Sequence, residues 1–174
     1  MLKFITNSDI YSELVLGRIP KSRKFVWIAT SNVKDLYVKK LARMVPFLEI
    51  LSDLAERHVE IRLLHAKKPG PAFQKDFDRY PHLTTGMEQV LCPRVHLKSV
   101  IIDGVFAYAG SANLTGAGMG AKSANKRNFE AGIITDDNAL VGQIMGQFDE
   151  IWRGAHCRQC GRKQFCTDYK DVRT

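Results

Sequence analysis

A histidine and a lysine two positions apart, His96 and Lys98, open the mostly apolar stretch HLKSVIID, which ends at Asp103. Because side chains alternate along an extended strand, His96 and Lys98 share one strand face. An imidazole can act as a nucleophile or as a general acid, and an ammonium group neutralises anionic oxygens. An isolated pair of this kind usually marks a solvated strand face, so the neighbouring residues must decide whether it forms a site.

Those neighbours continue the pattern as H-x-K-x4-D-x6-G-S-x-N, from His96 to Asn113. The pattern resembles the HKD signature of the phospholipase D superfamily. The downstream segment NFEAGI (128–133) resembles the family segment that contains a glutamate supporting the histidine. The resemblance implies an α/β fold, an αβα sandwich with a central mixed β-sheet flanked by helices. A short, basic chain with one motif is most similar to the bacterial endonuclease branch.

The chemistry of phosphodiester cleavage explains these residue types. Displacement at phosphorus needs a nucleophile, neutralisation of the non-bridging oxygens and a proton for the leaving oxygen. His96 can attack phosphorus to form a phosphohistidine, and Lys98 can neutralise the phosphate without an added cofactor. The resemblance implies that Ser111 and Asn113 donate further hydrogen bonds.

One imidazole cannot be the unprotonated nucleophile and the protonated acid at the same moment. The chain has a single H-x-K, and family members with one copy form homodimers, so the resemblance implies a homodimer with two His96 rings at one phosphate. The two histidines would then titrate as a coupled pair.

Glu130 and Asp103 are expected to have different tasks. A carboxylate at Glu130 can accept from the second ring nitrogen of His96 and hold the ring, although an exposed glutamate paired with a lysine is the alternative. Asp103 precedes Gly104 at a turn, where aspartate often bonds backbone, so we expect it to be structural. Gly110 is also expected to be a structural part of the motif.

The intervening segments predict how these residues are positioned. Strand patterns alternate with helical ones, which predicts an α/β sandwich over residues 1–155 and a cysteine-containing basic tail at 156–174. Pro46 is expected to break or start a helix in 41–58. The predicted strands are 25–30, 59–65, 94–103, 105–111 and 130–135; the predicted helices lie within 41–58, 73–80 and 136–154; the loops are 67–71 and 113–128.

The formal charge of +8 favours an anionic partner, and no base-reading motif is visible, so we expect nucleic-acid cleavage without sequence preference. The alternatives are a phospholipase-type enzyme for lipid or small substrates and an inactive nucleic-acid-binding module. No apolar run is long enough for a membrane span or a signal peptide, which predicts a cytoplasmic protein without stable membrane association. The cations expected along the nucleic acid are Lys67, Lys68, Lys122, Lys126 and Arg127.

Three cysteines near the C-terminus, Cys157, Cys160 and Cys166, follow the spacing C-x2-C-x5-C. In a reducing compartment this pattern favours a structural zinc site over free thiols or disulfides, with His156 or Cys92 as the fourth ligand. An iron–sulfur cluster is a further alternative. A metal here is expected to support the structure and to take no part in the chemistry of His96.

Overall fold

The computed structural model describes residues 1–34 and 36–169. Its strands are β1 (Leu2–Thr6), β2 (Phe25–Thr30), β3 (Tyr37–Lys40), β4 (Arg43–Pro46), β5 (Glu60–His65), β6 (Met87–Leu91), β7 (Ser99–Ile102), β8 (Phe106–Gly110) and β9 (Ala131–Thr135). Its α-helices are α1 (Phe47–Glu56), α2 (Pro71–Phe77), α3 (Pro81–Gly86) and α4 (Asn138–Trp152). A π-helical segment spans Ile10–Val15, and 3₁₀ turns span Ile19–Lys21 and Lys163–Phe165.

Seven strands form a central mixed sheet in the order β1-β9-β8-β7-β2-β5-β6. β2, β5 and β6 are parallel, whereas the other neighbouring pairs are antiparallel. Successive residues of the central strands feed opposite hydrophobic clusters: Ile28 packs with the layer of α1 to α3, and Ala29 packs with α4. The predicted αβα sandwich with a mixed sheet is therefore confirmed.

Helix α4, within the predicted segment 136–154, covers one face of the sheet with its apolar residues. Asp137 caps its start by accepting hydrogen bonds from two backbone N–H groups. The Phe148 ring stacks between Trp27 and Trp152, with ring centroids 5.2 and 5.6 Å apart. Both tryptophans thus belong to the packing between helix and sheet, where aromatic pairs add about 1 kcal/mol each beyond their burial.

The segment 41–58 differs from the predicted helix in its first part. β3 and β4 form an antiparallel hairpin in which Val38 pairs with Val45, and both are buried. Alternation between buried and exposed residues, with Met44 exposed beside Val45, suits a strand and outweighs the helical spacing. Pro46 has extended dihedral angles and precedes α1, which confirms that it marks the helix start.

Two other predicted boundaries shift. The expected strand 94–103 is regular only from Ser99, because its neighbour β2 ends one residue after Ala29, the partner of Ser99. Pro71, expected in a loop, begins α2. The loop at 113–128 contains no helix or regular strand, as predicted. Among the described residues, no helix is long and apolar enough to cross a membrane.

Candidate active site

The residues predicted to do chemistry lie at one end of the central strands of the sheet. Ala29 near the end of β2 pairs with Ser99 at the start of β7, and Gly110 at the end of β8 pairs with Gly132 near the start of β9. The chain segments beyond these ends therefore emerge side by side. They carry all the predicted catalytic residues: His96, Lys98, Ser111, Asn113 and Glu130.

His96 and Lys98 lie on the extended approach to β7. His96 is exposed, and its ring makes no hydrogen bond to any other described residue. The Lys98 ammonium donates to the His96 carbonyl at 2.7 Å, while the Lys98 carbonyl accepts from the Gly110 N–H at 3.0 Å. The arrangement places an accessible imidazole beside a half-buried cation.

Burial lowers the pKa of Lys98 from its ordinary value of 10.5, and the negative charge of Glu130 opposes that shift. Lys98 thus carries a charge that is incompletely hydrated and has a carboxylate nearby. Such a cation interacts strongly with an incoming phosphate because fewer water molecules compete for it.

Glu130 has both carboxylate oxygens occupied within the protomer. One accepts from the Ser111 hydroxyl, and the other accepts from the Asn128 amide at 3.0 Å. Across the described part of the chain, no hydrogen bond joins Glu130 to His96, so the expected support of the ring is not formed within one protomer. Asn128 was not anticipated, although it stands only two positions before Glu130.

Asn113 is oriented by the end of β2. Its side-chain oxygen accepts from the Ser31 hydroxyl at 2.7 Å, the Asn32 N–H at 3.2 Å and the Thr30 hydroxyl at 3.3 Å. With the oxygen occupied, the amide N–H₂ is the group left to donate to a ligand. Sequence reasoning missed these three partners, although three polar residues after a buried strand are a recognisable signal.

Gly110 is required by close packing. A Cβ atom there would lie 2.3 Å from the Tyr108 hydroxyl and 2.5 Å from the Ala131 carbonyl oxygen. Tyr108 is fully buried, and burial raises its pKa to about 12, so it stays a neutral packing residue beneath the site.

Asp103 lies at the opposite end of β7, away from the site. Asp103 and Gly104 both have positive φ, 56° and 72°, as the central residues of a type I′ hairpin turn do. The carboxylate accepts from the backbone N–H groups of Arg23, Lys24 and Phe25 at 2.7–3.2 Å. The turn is present as predicted, but the backbone that the carboxylate binds is distant in sequence, whereas we expected it to bind the backbone of its own turn.

The predicted nucleic-acid-binding cations are exposed or half-buried and lie in loops at the same end of the central strands. Lys67 and Lys68 follow β5, which only β2 separates from β7, so this loop starts about 10 Å from the approach to β7. Buried His65 holds the loop by donating from Nδ1 to the Lys67 carbonyl at 2.8 Å, and burial lowers its pKa. The remaining cations, Lys122, Lys126 and Arg127, lie between Ser111 and Glu130.

The cysteines predicted to bind metal are free thiols that line a common cavity with His156 and Cys92. Within residues 1–34 and 36–169, no three candidate ligands are placed to hold a metal ion together. The metal site therefore stays a prediction.

The fold is that of a phosphodiesterase family. The family model described as "Cardiolipin synthase, PLD-like domain" matches residues 15–152. The chain therefore belongs to the phospholipase D superfamily, as the motif predicts. No curated protein sequence matches the chain.

Solved structures show the same fold at low sequence identity. Nuc from Salmonella typhimurium, described as a phospholipase D family member, is 15% identical with a TM-score of 0.66, over 88% of this chain and 94% of that one. NucT from Helicobacter pylori is 17% identical with a TM-score of 0.63, over 88% and 97% of the chains. TrmBL2, an archaeal chromatin protein described with a novel mode of DNA binding, is 14% identical with a TM-score of 0.58, over 87% and 52%.

The lowered pKa of Lys98 predicts a pH dependence. If Lys98 neutralises a substrate phosphate, only its protonated ammonium can do so, and kcat/KM for phosphodiester cleavage should fall as pH rises through a pKa that lies below 10.5. Lys98→Arg keeps its charge to higher pH, so this variant should lose activity through altered geometry but show its alkaline decline at higher pH. The measurement is kcat/KM against pH for both proteins, with Lys21→Arg as an exposed control. An unchanged alkaline decline in Lys98→Arg would show that another group causes it.

Proposed function

We propose that the protein is a sequence-nonspecific endonuclease that cleaves DNA or RNA through a phosphohistidine intermediate. The observation that supports this most is that exposed His96, half-buried Lys98 and the oriented amide of Asn113 lie at the same end of the central strands. This set matches the needs of phosphodiester displacement, namely a nucleophile, a cation and a hydrogen-bond donor.

In the proposed first step, a neutral His96 ring nitrogen attacks phosphorus and the bond from phosphorus to the leaving oxygen breaks. The leaving oxygen takes a proton from a second imidazole, while Lys98 and Asn113 stabilise the non-bridging oxygens. In the second step, that imidazole removes a proton from water, the resulting hydroxide attacks phosphorus, and the phosphorus–nitrogen bond breaks. Both histidines then return to their starting protonation states.

The second imidazole is proposed to be His96 of another protomer. The chain has one H-x-K motif, and the unbonded, exposed His96 ring is compatible with a twofold arrangement that brings two such rings to one phosphate. In that homodimer, a carboxylate such as Glu130 is also available to a ring across the interface.

Charge favours an anionic substrate, and the extent of the cationic loops around the site favours a polymeric nucleic acid. The chain carries a net charge of +8, and loops with exposed lysines lie at the same end of the strands as the site. In the Gly-rich loop after Asn113, Met119 is buried and offers no apolar surface to a lipid, although the Phe129 side chain next to Glu130 is 96% exposed.

A substrate panel tests this proposal. We expect the purified protein to cleave single-stranded DNA, duplex DNA or RNA in the presence of EDTA, and to leave a phosphatidylcholine analogue intact. Hydrolysis of the lipid analogue alone would support the phospholipase-type alternative. Binding of DNA without cleavage of any substrate would support the inactive binding module.

A further inference from the structure

All four cysteines of the chain line one cavity of about 280 Å³ beside the candidate active site. Its walls come from three parts of the molecule: the segment from Cys92 to Val95, the last two turns of α4, and the tail that follows this helix. Cys92 is separated from the other cysteines by more than sixty positions in sequence, so the tertiary structure creates this cluster. The proposed nuclease chemistry assigns no task to any of these thiols.

The tail is attached to the sheet by a few polar contacts. The Leu91 N–H at the end of β6 donates to the Asp168 carboxylate at 2.7 Å, and the Cys166 thiol lies 3.5 Å from the Leu91 carbonyl oxygen. β6 is an edge strand of the sheet, so these contacts hold the tail beside the strand that leads to Cys92.

Hydrophobic burial contributes little to holding this tail beside the sheet. None of the residues 155–169 is buried, and the Phe165 side chain is 60% exposed. Fixing a residue costs about 1–2 kcal/mol of conformational entropy, so a cross-link would be an effective way to hold a segment with no core of its own. Metal–thiolate bonds are a common cross-link in small segments of this kind.

We propose that Cys92, Cys157, Cys160 and Cys166 bind one metal centre through four thiolates, which cross-links the tail to the segment that precedes His96. Four thiolates suit a tetrahedral zinc ion and also an iron–sulfur cluster. Within the described residues no three of these side chains already form a group that could hold a metal ion, so binding requires the four that line the cavity to converge.

Cys92 is a better fourth ligand than His156. The His156 ring is exposed and its Nε2 lies 3.5 Å from the Glu150 carboxylate. Cys92 is only partly exposed and lines the cavity together with Cys157, Cys160 and Cys166. A bound cation stabilises thiolates that would otherwise repel one another.

The position of the centre gives it a role in the architecture of the site. Only residues 93–95 separate Cys92 from His96, so a metal bound by Cys92 anchors the start of the segment that carries the nucleophile. The centre would hold the site in place and would not contact the phosphate.

Metal analysis of the full chain tests the proposal. We expect about one zinc ion per chain, or about four iron and four sulfide ions after anaerobic purification, measured by elemental and sulfide analysis. Cys92→Ser and Cys160→Ser should each reduce metal content by at least about tenfold, as expected for loss of a ligand. The matched control, His156→Ala, should keep it.

Cobalt binding supplies a measurement that does not depend on the variants folding. Co²⁺ added to the metal-free wild-type chain should give the thiolate-to-metal absorption of a four-cysteine site, and zinc should displace it. The proposal is overturned if the wild-type chain binds neither zinc nor iron and all four thiols react freely, or if the cysteines form disulfides. Loss of metal in His156→Ala with retention in Cys92→Ser would overturn the assignment of Cys92. None of these readouts uses nuclease activity, so they remain informative if the proposed function fails.

Discussion

Replacing His96 with alanine is expected to abolish nucleic-acid cleavage, lowering kcat/KM by about 10⁴-fold or more. The change removes the proposed nucleophile and, in the proposed dimer, the general acid as well. His96 is exposed and its ring makes no hydrogen bond with the described residues, so its removal should leave the fold intact.

The matched control is His82→Ala, which removes another exposed imidazole from a helix outside the site. Circular dichroism and thermal unfolding should be the same for both variants and the wild type. If His96→Ala keeps more than about a tenth of the wild-type kcat/KM, His96 is not the nucleophile.

Mixing wild-type protein with the His96→Ala variant tests whether two protomers share one site. If both His96 rings act on one phosphate, a dimer with one altered protomer is inactive, so a 1:1 mixture after subunit exchange should keep about a quarter of the activity. Independent sites would instead keep about half. Sedimentation velocity on the same samples establishes whether the protein is a dimer under the assay conditions.

Asp103→Ala is expected to lower the free energy of unfolding by about 2–4 kcal/mol while the chemistry of the site persists. The carboxylate accepts hydrogen bonds from three consecutive backbone N–H groups, at Arg23, Lys24 and Phe25, and alanine leaves all three without this acceptor. Alanine also tolerates the left-handed φ of 56° less well than aspartate does.

Asp103→Asn is the matched control, because asparagine accepts through Oδ1 and tolerates a left-handed backbone. It should recover at least half of the stability lost in the alanine variant, as measured by urea unfolding. At urea concentrations below the unfolding transition, kcat/KM of Asp103→Ala should stay within about threefold of the wild-type value. A stable Asp103→Ala protein with no activity would instead place Asp103 in the reaction.

Much of this architecture follows from local sequence. The Asp103-Gly104 turn, the strand at 25–30 and the stripe along α4 each depend on residues close together in the chain, so their patterns are readable without a structure. The hairpin of β3 and β4 was hidden because a short apolar segment next to a helix fits both periods.

The sequence by itself determined which groups could act: the spacing from His96 to Asn113 names a nucleophile, a cation and donors, and it predicts the superfamily to which the chain belongs. Only the tertiary structure decided their partners. Glu130 binds Ser111 and Asn128, Asn113 binds the end of β2, and Cys92 lines one cavity with the C-terminal cysteines. These contacts depend on the order of strands in the sheet, which joins segments distant along the chain and leaves no periodic signal within any one of them.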